Sequence, residues 1–112
     1  MKTEISQEES ITVIAVTESL DALTASDLTR TLSQQISGGH CNLVVDLTRV
    51  EFISSAGLRT LLGAVKESRT NGGDLRIASI NPVIDKVLKM SGFYNVAKVF
   101  PSQTEAVASF SS

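Results

Sequence analysis

Two adjacent serines, Ser54 and Ser55, are the side chains of this sequence best placed for chemistry. They precede apolar residues at the i, i+3, i+4, i+7 spacing of a helix face. These residues are Leu58, Leu61, Leu62 and Val65. Serine is a preferred N-cap, and the free N–H groups at a helix start also favour an anion. A serine here is therefore either a cap or a place where a phosphate would be stabilised.

The other reactive side chains form no catalytic pattern. His40 and Cys41 are adjacent in sequence, and neighbours rarely point at each other as a nucleophilic pair must, so we interpret them as a loop–strand junction. One Cys and one His give no ligand spacing for a metal. The pairs Gly38-Gly39 and Gly72-Gly73 lack phosphate-loop patterns and indicate helix ends. We expect no enzymatic activity, cofactor or metal.

Two carboxylates remain as candidates for a site. Asp21 and Asp46 fall near the ends of predicted strands, which is where ligands bind in α/β sheets. Spacing alone favours a simpler interpretation, in which both residues cap helices and make loop hydrogen bonds.

The candidate residues are positioned by predicted strands and helices that alternate along the sequence. Strands are predicted at residues 3–6, 11–16, 43–47, 75–78 and 96–100. Helices are predicted after caps at Thr24, Ser54, Asn81 and Ser102. The run 43–47 has almost no polar alternation, which predicts a central strand covered on both faces. The first two strands should form a hairpin across a polar turn at 7–9.

This order predicts an α/β fold, with a mostly parallel central sheet of four to five strands and about four helices. The 112 residues are enough for one domain, 1–112, which we expect to fray at 110–112. Phe93 and Tyr94 are expected to pack beyond a helix end at Gly92.

Charge and composition narrow the class of partner. The formal net charge is −2, basic runs are absent and there is no Trp, so neither nucleic acid nor a membrane is the expected partner. A single Cys cannot form an internal disulfide, which favours a reducing, cytoplasmic setting. No apolar run approaches the length of a membrane span.

Residues 42–65 resemble the signature of the STAS domain, specifically that of the bacterial anti-sigma factor antagonists. Asp46-Leu47-Thr48, Phe52-Ile53 and Gly57-Leu58 match that signature in type and spacing, together with Ser55. Two positions depart from it. Ser54 stands where the family usually has Asp, and Ala56 stands where it usually has Ser or Thr. Leu20-Asp21 and Met90-Ser91-Gly92 give softer matches.

The resemblance implies a regulatory switch. The serine that the family phosphorylates corresponds to Ser55, with Ser54 as the alternative. Its partner-binding surface corresponds to Asp21, Ser54, Ser55, Ala56, Gly57 and Arg59. The implied partners are an anti-sigma factor that is also a serine kinase, and a PP2C-type phosphatase. ATP would belong to the kinase, and the chain itself would be a monomer or weak dimer.

Three points stay open at the level of sequence. An adaptor or scaffold subunit in which Ser55 is never modified is the main alternative, because Ser54 replaces the usual Asp. A STAS module that senses a small ligand is a second alternative. Arg59 lies at i+4 from Ser55 and is either a solvated charge or the partner of a phosphate on that serine.

Overall fold

A five-stranded sheet in the order β1-β2-β3-β4-β5 organises the computed structural model, which describes residues 3–111. The strands are β1 (Thr3–Glu8), β2 (Ile11–Val16), β3 (Asn42–Asp46), β4 (Asp74–Ala78) and β5 (Val99–Phe100). β1 runs antiparallel to β2, whereas every later pairing is parallel. The predicted α/β fold, with its hairpin followed by a parallel sheet, is confirmed.

Helices cover the sheet on both faces. They are α1 (Ala22–Ser37), α2 (Ser55–Thr70), α3 (Pro82–Ser91) and α4 (Gln103–Ala108). α1, α2 and α3 each connect neighbouring parallel strands, and right-handed crossovers in one direction place all three on the same face. α4 packs on β3 and β4 from the other face. Two short 3-10 helices, Phe93–Asn95 and Ser109–Ser111, complete the described chain.

The core has two parts, one on each face of the sheet. The larger lies under α1, α2 and α3, and the smaller joins Val13 and Val44 to Ala106 of α4. β3 contributes to both, since Leu43, Val44 and Val45 are fully buried. The predicted central strand, covered on both faces, is confirmed.

α2 begins and ends where the sequence predicted. Its apolar face points toward the core, but not every residue of that face is fully buried. Leu61 and Val65 are fully buried, whereas Leu58 and Leu62 are half-buried at the side of that face. The middle of the face is completed by small residues that hydrophobic periodicity does not single out. They are Gly57, Ala64 and Ser68.

The first helix begins differently from the prediction. Its N-cap is Asp21 and not Thr24, because the Asp21 carboxylate accepts from the Leu23 and Thr24 backbone N–H groups at 2.9 Å each. Thr24 Oγ1 accepts from the Asp21 N–H at 2.9 Å in return. An Asp three residues before a Thr thus makes a reciprocal capping box one turn earlier than expected.

Both ends of the sheet also differ from the prediction. β1 continues through Glu8, and the turn is made by Glu9 and Ser10, with Glu9 in the left-handed region at φ 60°. The last strand was expected at 96–100 but contains only two residues. The N–H groups of Val96 and Ala97 donate to the Phe93 carbonyl, so they are unavailable for pairing with β4.

Two expectations near the C-terminus need correction. Phe93 is fully buried as predicted, but Tyr94 is 41% exposed and donates a hydrogen bond to Asp85. Fraying was expected from residue 110 onward. Phe110 instead lies in a 3-10 helix, half-buried, with the Arg76 guanidinium 4.0 Å from its ring centroid. Ser112 lies outside the described residues.

Candidate functional site

The loop that carries the serines is fastened to the loop before α1. Leu20 and Ile53 form a short parallel bridge, in which the Leu20 N–H donates to the Phe52 carbonyl at 3.1 Å. The Ser54 N–H donates to the Leu20 carbonyl at 2.7 Å. Asp21 and Ser54 therefore follow two backbone segments that are held side by side.

A third loop braces this pair. The Asn81 side-chain amide, at the start of α3, donates to the carbonyls of Val50 and Glu51 at 3.2 and 3.0 Å. Ser19 Oγ accepts from the Glu51 N–H at 3.2 Å. The carboxyl ends of β2, β3 and β4 thus meet in one cross-linked set of loops, which is where α/β sheets place their sites.

Gly57 lets α2 enter this arrangement closely. A Cβ at that position would lie 2.8 Å from Ile53 Cγ1 and 2.9 Å from Leu20 Cβ. Such distances are too short for real side-chain contacts. The absence of a side chain at Gly57 therefore sets how near the helix start lies to the bridged loops.

The two serines differ in what their hydroxyls do. Ser54 is the N-cap of α2, and its Oγ accepts from the Gly57 N–H at 3.1 Å. Ser55 is the first helical residue and is exposed. Its hydroxyl makes no hydrogen bond to residues 3–111. The Ser55 hydroxyl is therefore accessible from solvent, whereas the Ser54 oxygen is engaged with the helix start.

Arg59 lies one turn after Ser55 and is exposed. Within the described residues its guanidinium has no ion-pair partner, so it is available to an added anion. Ala56, half-buried between them, lines an open groove of about 400 Å³ between α1 and α2. The groove is bordered by small residues of both helices, including Ala22, Ser26 and Gly63.

Asp21 is near the serines but is occupied as a cap. Hydrogen bonds from the backbone and side chain of Thr24, and from the Leu23 backbone, hold the pKa of the Asp21 carboxyl below the usual range of an aspartate. Asp21 is exposed and therefore stays ionised at neutral pH. It contributes a fixed negative charge beside the Ser54 loop, together with the local capping role that its spacing favoured.

Asp46 does not join this group. One carboxylate oxygen accepts from the Thr48 N–H at 3.0 Å, so it orders the loop after β3. By alternation along β3, Asp46 shares the face of Val44, which packs toward α4. The two carboxylates considered from sequence are thus separated by the sheet.

The remaining reactive residues stay apart. His40 is exposed and Cys41 is half-buried. Across the described part of the chain, no three His, Cys, Asp or Glu side chains are grouped so as to hold a metal ion.

Within residues 3–111, none of the helices combines the length and apolar character that crossing a membrane requires.

Sequence reasoning missed the residues that brace the site. Asn81 was predicted as a cap, which it is, since its Oδ1 accepts from the Ile84 N–H at 2.8 Å. Nothing in the sequence indicated that its amide also binds the loop before α2. The contacts of Ser19 and Leu20 were likewise not predicted, because they join residues more than thirty positions apart.

Comparison with known proteins places this arrangement in a family. Residues 2–106 match the model of the STAS domain. BtrV of Bordetella bronchiseptica, by its name a candidate anti-sigma factor antagonist, is 34% identical over 91 residues, covering 81% of this chain and 78% of that protein.

Solved structures show the same fold. A candidate anti-sigma factor antagonist of Thermotoga maritima gives a TM-score of 0.91 at 18% identity, covering 96% of this chain and 92% of that one. The phosphorylated form of the Bacillus cell fate determinant SpoIIAA gives 0.76 at 20% identity, covering 97% and 99%. The match along almost the whole sequence, over this sheet and its bridged loops, shows that the chain belongs to the STAS domain family.

Proposed function

We propose that this protein is an anti-sigma factor antagonist that is switched off by phosphorylation of Ser55. Family membership and the name of its 34% identical relative support the regulatory role. Regulators of this class bind other proteins and perform no chemistry, in agreement with the prediction that the chain is not an enzyme. The proposed partners are a cytoplasmic anti-sigma factor that is also a serine kinase, and a PP2C-type phosphatase.

The observation that carries the proposal is the exposed, unengaged hydroxyl of Ser55 beside the occupied oxygen of Ser54. A kinase needs a hydroxyl that it can reach, on a segment that presents it in a defined position. The loop bonds to Leu20 and the cap at Ser54 supply that position. To be phosphorylated, Ser54 would have to lose the hydrogen bond that its Oγ accepts from the Gly57 N–H.

A phosphate on Ser55 changes the surface strongly. It adds roughly −1.5 to −2 charges at neutral pH. The charge would be tolerated by the protein itself, since it lies at a helix N-terminus and Arg59 is one turn away. It would be unfavourable in an interface that must exclude water and that already contains Asp21. Modification should therefore release the anti-sigma factor without unfolding the antagonist.

The test is to map the phosphate directly. The purified protein is incubated with ATP and each kinase-type anti-sigma factor of its host, and the modified residue is located by fragmentation mass spectrometry. We expect one phosphate on Ser55, its loss in Ser55→Ala and its retention in Ser54→Ala. Phosphate on Ser54, or phosphate that persists in Ser55→Ala, would contradict the assignment.

The adaptor alternative has one observation in its favour. Ser54 replaces an acidic residue that the family usually has next to the acceptor, so a kinase that reads this residue would not recognise the chain. The intact mass of protein isolated from its host separates the two functions. A species heavier by one phosphate group supports the switch, whereas a single unmodified mass together with no transfer in vitro supports the adaptor.

A further inference from the structure

α3 carries a strip of apolar side chains that the core does not use. Val83 and Met90 are 58% and 79% exposed, and Val87 between them is half-buried. These residues follow the i, i+4, i+7 spacing, so they line up along one flank of the helix. The core-facing residues of α3 are different ones, Ile84 and Leu88. The strip is therefore additional to what the fold needs.

This flank faces α2. Asp85 lies on the opposite flank, where it accepts a hydrogen bond from Tyr94 and lines a cleft with Val99 of β5. β5 is the outer neighbour of β4, and α2 lies on the inner side. Because one flank of α3 is turned to β5, the flank with Val83 and Met90 is turned to α2.

α2 offers a matching flank. Thr60 of α2 is hydrogen-bonded to Thr29 of α1 at 2.8 Å, so α1 covers that side of the helix. Leu58 and Leu62 lie on the other side and are half-buried. α1 and α2 pack closely, whereas α2 and α3 make few direct contacts.

Exposed and half-buried apolar side chains of α2 and α3 therefore border the surface between these two helices. We call it the α2–α3 valley and define it by Leu58, Leu62, Val83, Val87 and Met90. Ser55 lies at its head, because both helices start at the carboxyl ends of the parallel strands.

The margins of the valley are basic. Lys66 lies at i+4 from Leu62 on α2, and Lys86 is exposed on α3 next to the strip. Neither cation has an ion-pair partner within residues 3–111. The carboxylate of α3, Asp85, lies on the far flank, 3.0 Å from Lys89.

We propose that the α2–α3 valley receives an acidic amphipathic segment of the partner protein, whose apolar face covers the strip and whose carboxylates meet the basic margin. This inference rests on the proposed function, since the occupant is a segment of the anti-sigma factor. An apolar floor with free cations beside it is complementary to such a segment. It also gives the phosphate a specific target, because a negative charge on Ser55 at the head of the valley repels the same carboxylates.

The first test measures binding of the anti-sigma factor by calorimetry. Met90→Ser and Lys86→Glu should each weaken binding at least about tenfold, the size of effect that loss of one central contact commonly has. Ile5→Ser and Lys98→Glu are the matched controls, because Ile5 is 47% exposed on the edge strand β1 and Lys98 is exposed beside β5. Both controls should bind like the wild type. Unchanged binding of Met90→Ser and Lys86→Glu, with release by Ser55 phosphorylation intact, would overturn the valley and leave the proposed function standing.

A second test does not depend on finding the partner. A synthetic helical peptide with Leu on one face and Glu beside it is titrated into the labelled protein and followed by NMR. We expect saturable shifts at the valley residues and little change at Ile5, with affinity that falls as salt rises. A peptide with Lys in place of Glu should bind at least about tenfold more weakly. No shifts in the valley, or equal binding of the Lys peptide, would overturn the proposal.

The same protein is also mixed with phosphatidylglycerol vesicles and with phosphatidylcholine vesicles. We expect it to remain unbound to both. Binding to the anionic vesicles that is lost in Lys86→Glu, without binding of the acidic peptide, would assign the valley to a membrane surface and overturn the proposal.

Discussion

At the scale of single residues, neighbouring serines have different roles because a helix start is asymmetric. The N-cap residue has extended backbone, and its side chain turns back onto the free N–H groups of the first turn. Ser54 has φ −82° and ψ 171°, and its oxygen binds the Gly57 N–H. Ser55 already belongs to the helix and projects outward. One residue along the chain therefore separates an oxygen that caps the helix from one that is open to solvent.

We predict that Ser54→Ala destabilises the protein by about 1 kcal/mol, since it removes the acceptor of the Gly57 N–H. Urea denaturation followed by circular dichroism measures the change. Ser55→Ala is the control, because its hydroxyl makes no hydrogen bond to the described residues, and its unfolding midpoint should stay close to that of the wild type. Equal losses in the two variants would contradict the division of roles.

The capping carboxylate of Asp21 makes the free energy of unfolding depend on pH. Hydrogen bonds from Thr24 and Leu23 lower the pKa of Asp21 in the folded protein below the usual range of an aspartate. A lowered folded-state pKa means that its stabilisation is complete above about pH 4 and is lost as the pH falls through the folded-state value. The urea midpoint of Asp21→Asn should therefore be below that of the wild type at pH 6, and the difference should shrink as the pH falls toward 2. A difference that is constant over this range would contradict the role of the charge.

At the scale of elements, α2 packs closely against the bridged loops because Gly57 has no side chain. Glycine inside a helix normally costs about 1 kcal/mol relative to alanine. At Gly57 that cost is offset, because Ile53 and Leu20 occupy the space that a Cβ would need. Gly63, in the same helix, has nothing within 4 Å of an added Cβ. An added methyl group would therefore clash at Gly57, whereas it has free space at Gly63.

This contrast predicts opposite signs for one kind of substitution. Gly57→Ala should destabilise by roughly 1–3 kcal/mol through overpacking against Ile53 and Leu20. Gly63→Ala should stabilise by up to about 1 kcal/mol through helix propensity alone. Thermal unfolding of the two variants measures both effects. A gain in stability from Gly57→Ala would mean that α2 does not approach the bridge as closely as the geometry indicates.

At the scale of the whole molecule, the site is separate from the core that holds the fold together. Ser55 is exposed, whereas the β3 residues Leu43, Val44 and Val45 are fully buried. A charge introduced at the head of α2 therefore meets solvent and the helix dipole without entering the core. Under the proposed function, this separation would let phosphorylation of Ser55 change binding without changing folding.

We predict that Ser55→Asp leaves the free energy of unfolding nearly unchanged, because a carboxylate at a helix N-terminus is itself favourable by about 0.3–1 kcal/mol. The same variant should bind the anti-sigma factor more weakly than the wild type in calorimetry, whereas Ser55→Ala should bind normally and resist phosphorylation. An Asp variant that binds as tightly as the wild type would count against the switch.

The elements and their order could be predicted from the sequence, because hydrophobic periodicity, caps and glycines act over short distances. The run 43–47 predicted a central strand, and Asn81-Pro82 and Gly92 predicted the two ends of α3. The prediction was wrong where two neighbouring residues both fitted the same helix cap. Asp21 and Thr24 both fit a cap, and only the geometry of the connection from β2 selects Asp21.

The surroundings of the two serines, in contrast, depend on contacts that form only in the folded chain. The bridge from Leu20 to Ile53, the bonds from Asn81 to Val50 and Glu51, and the close approach at Gly57 all join residues far apart in the chain. Periodicity carries no information about such contacts. The exposed strip on α3 is a second case, since only the structure shows that Val83 and Met90 are left uncovered by the rest of the described chain.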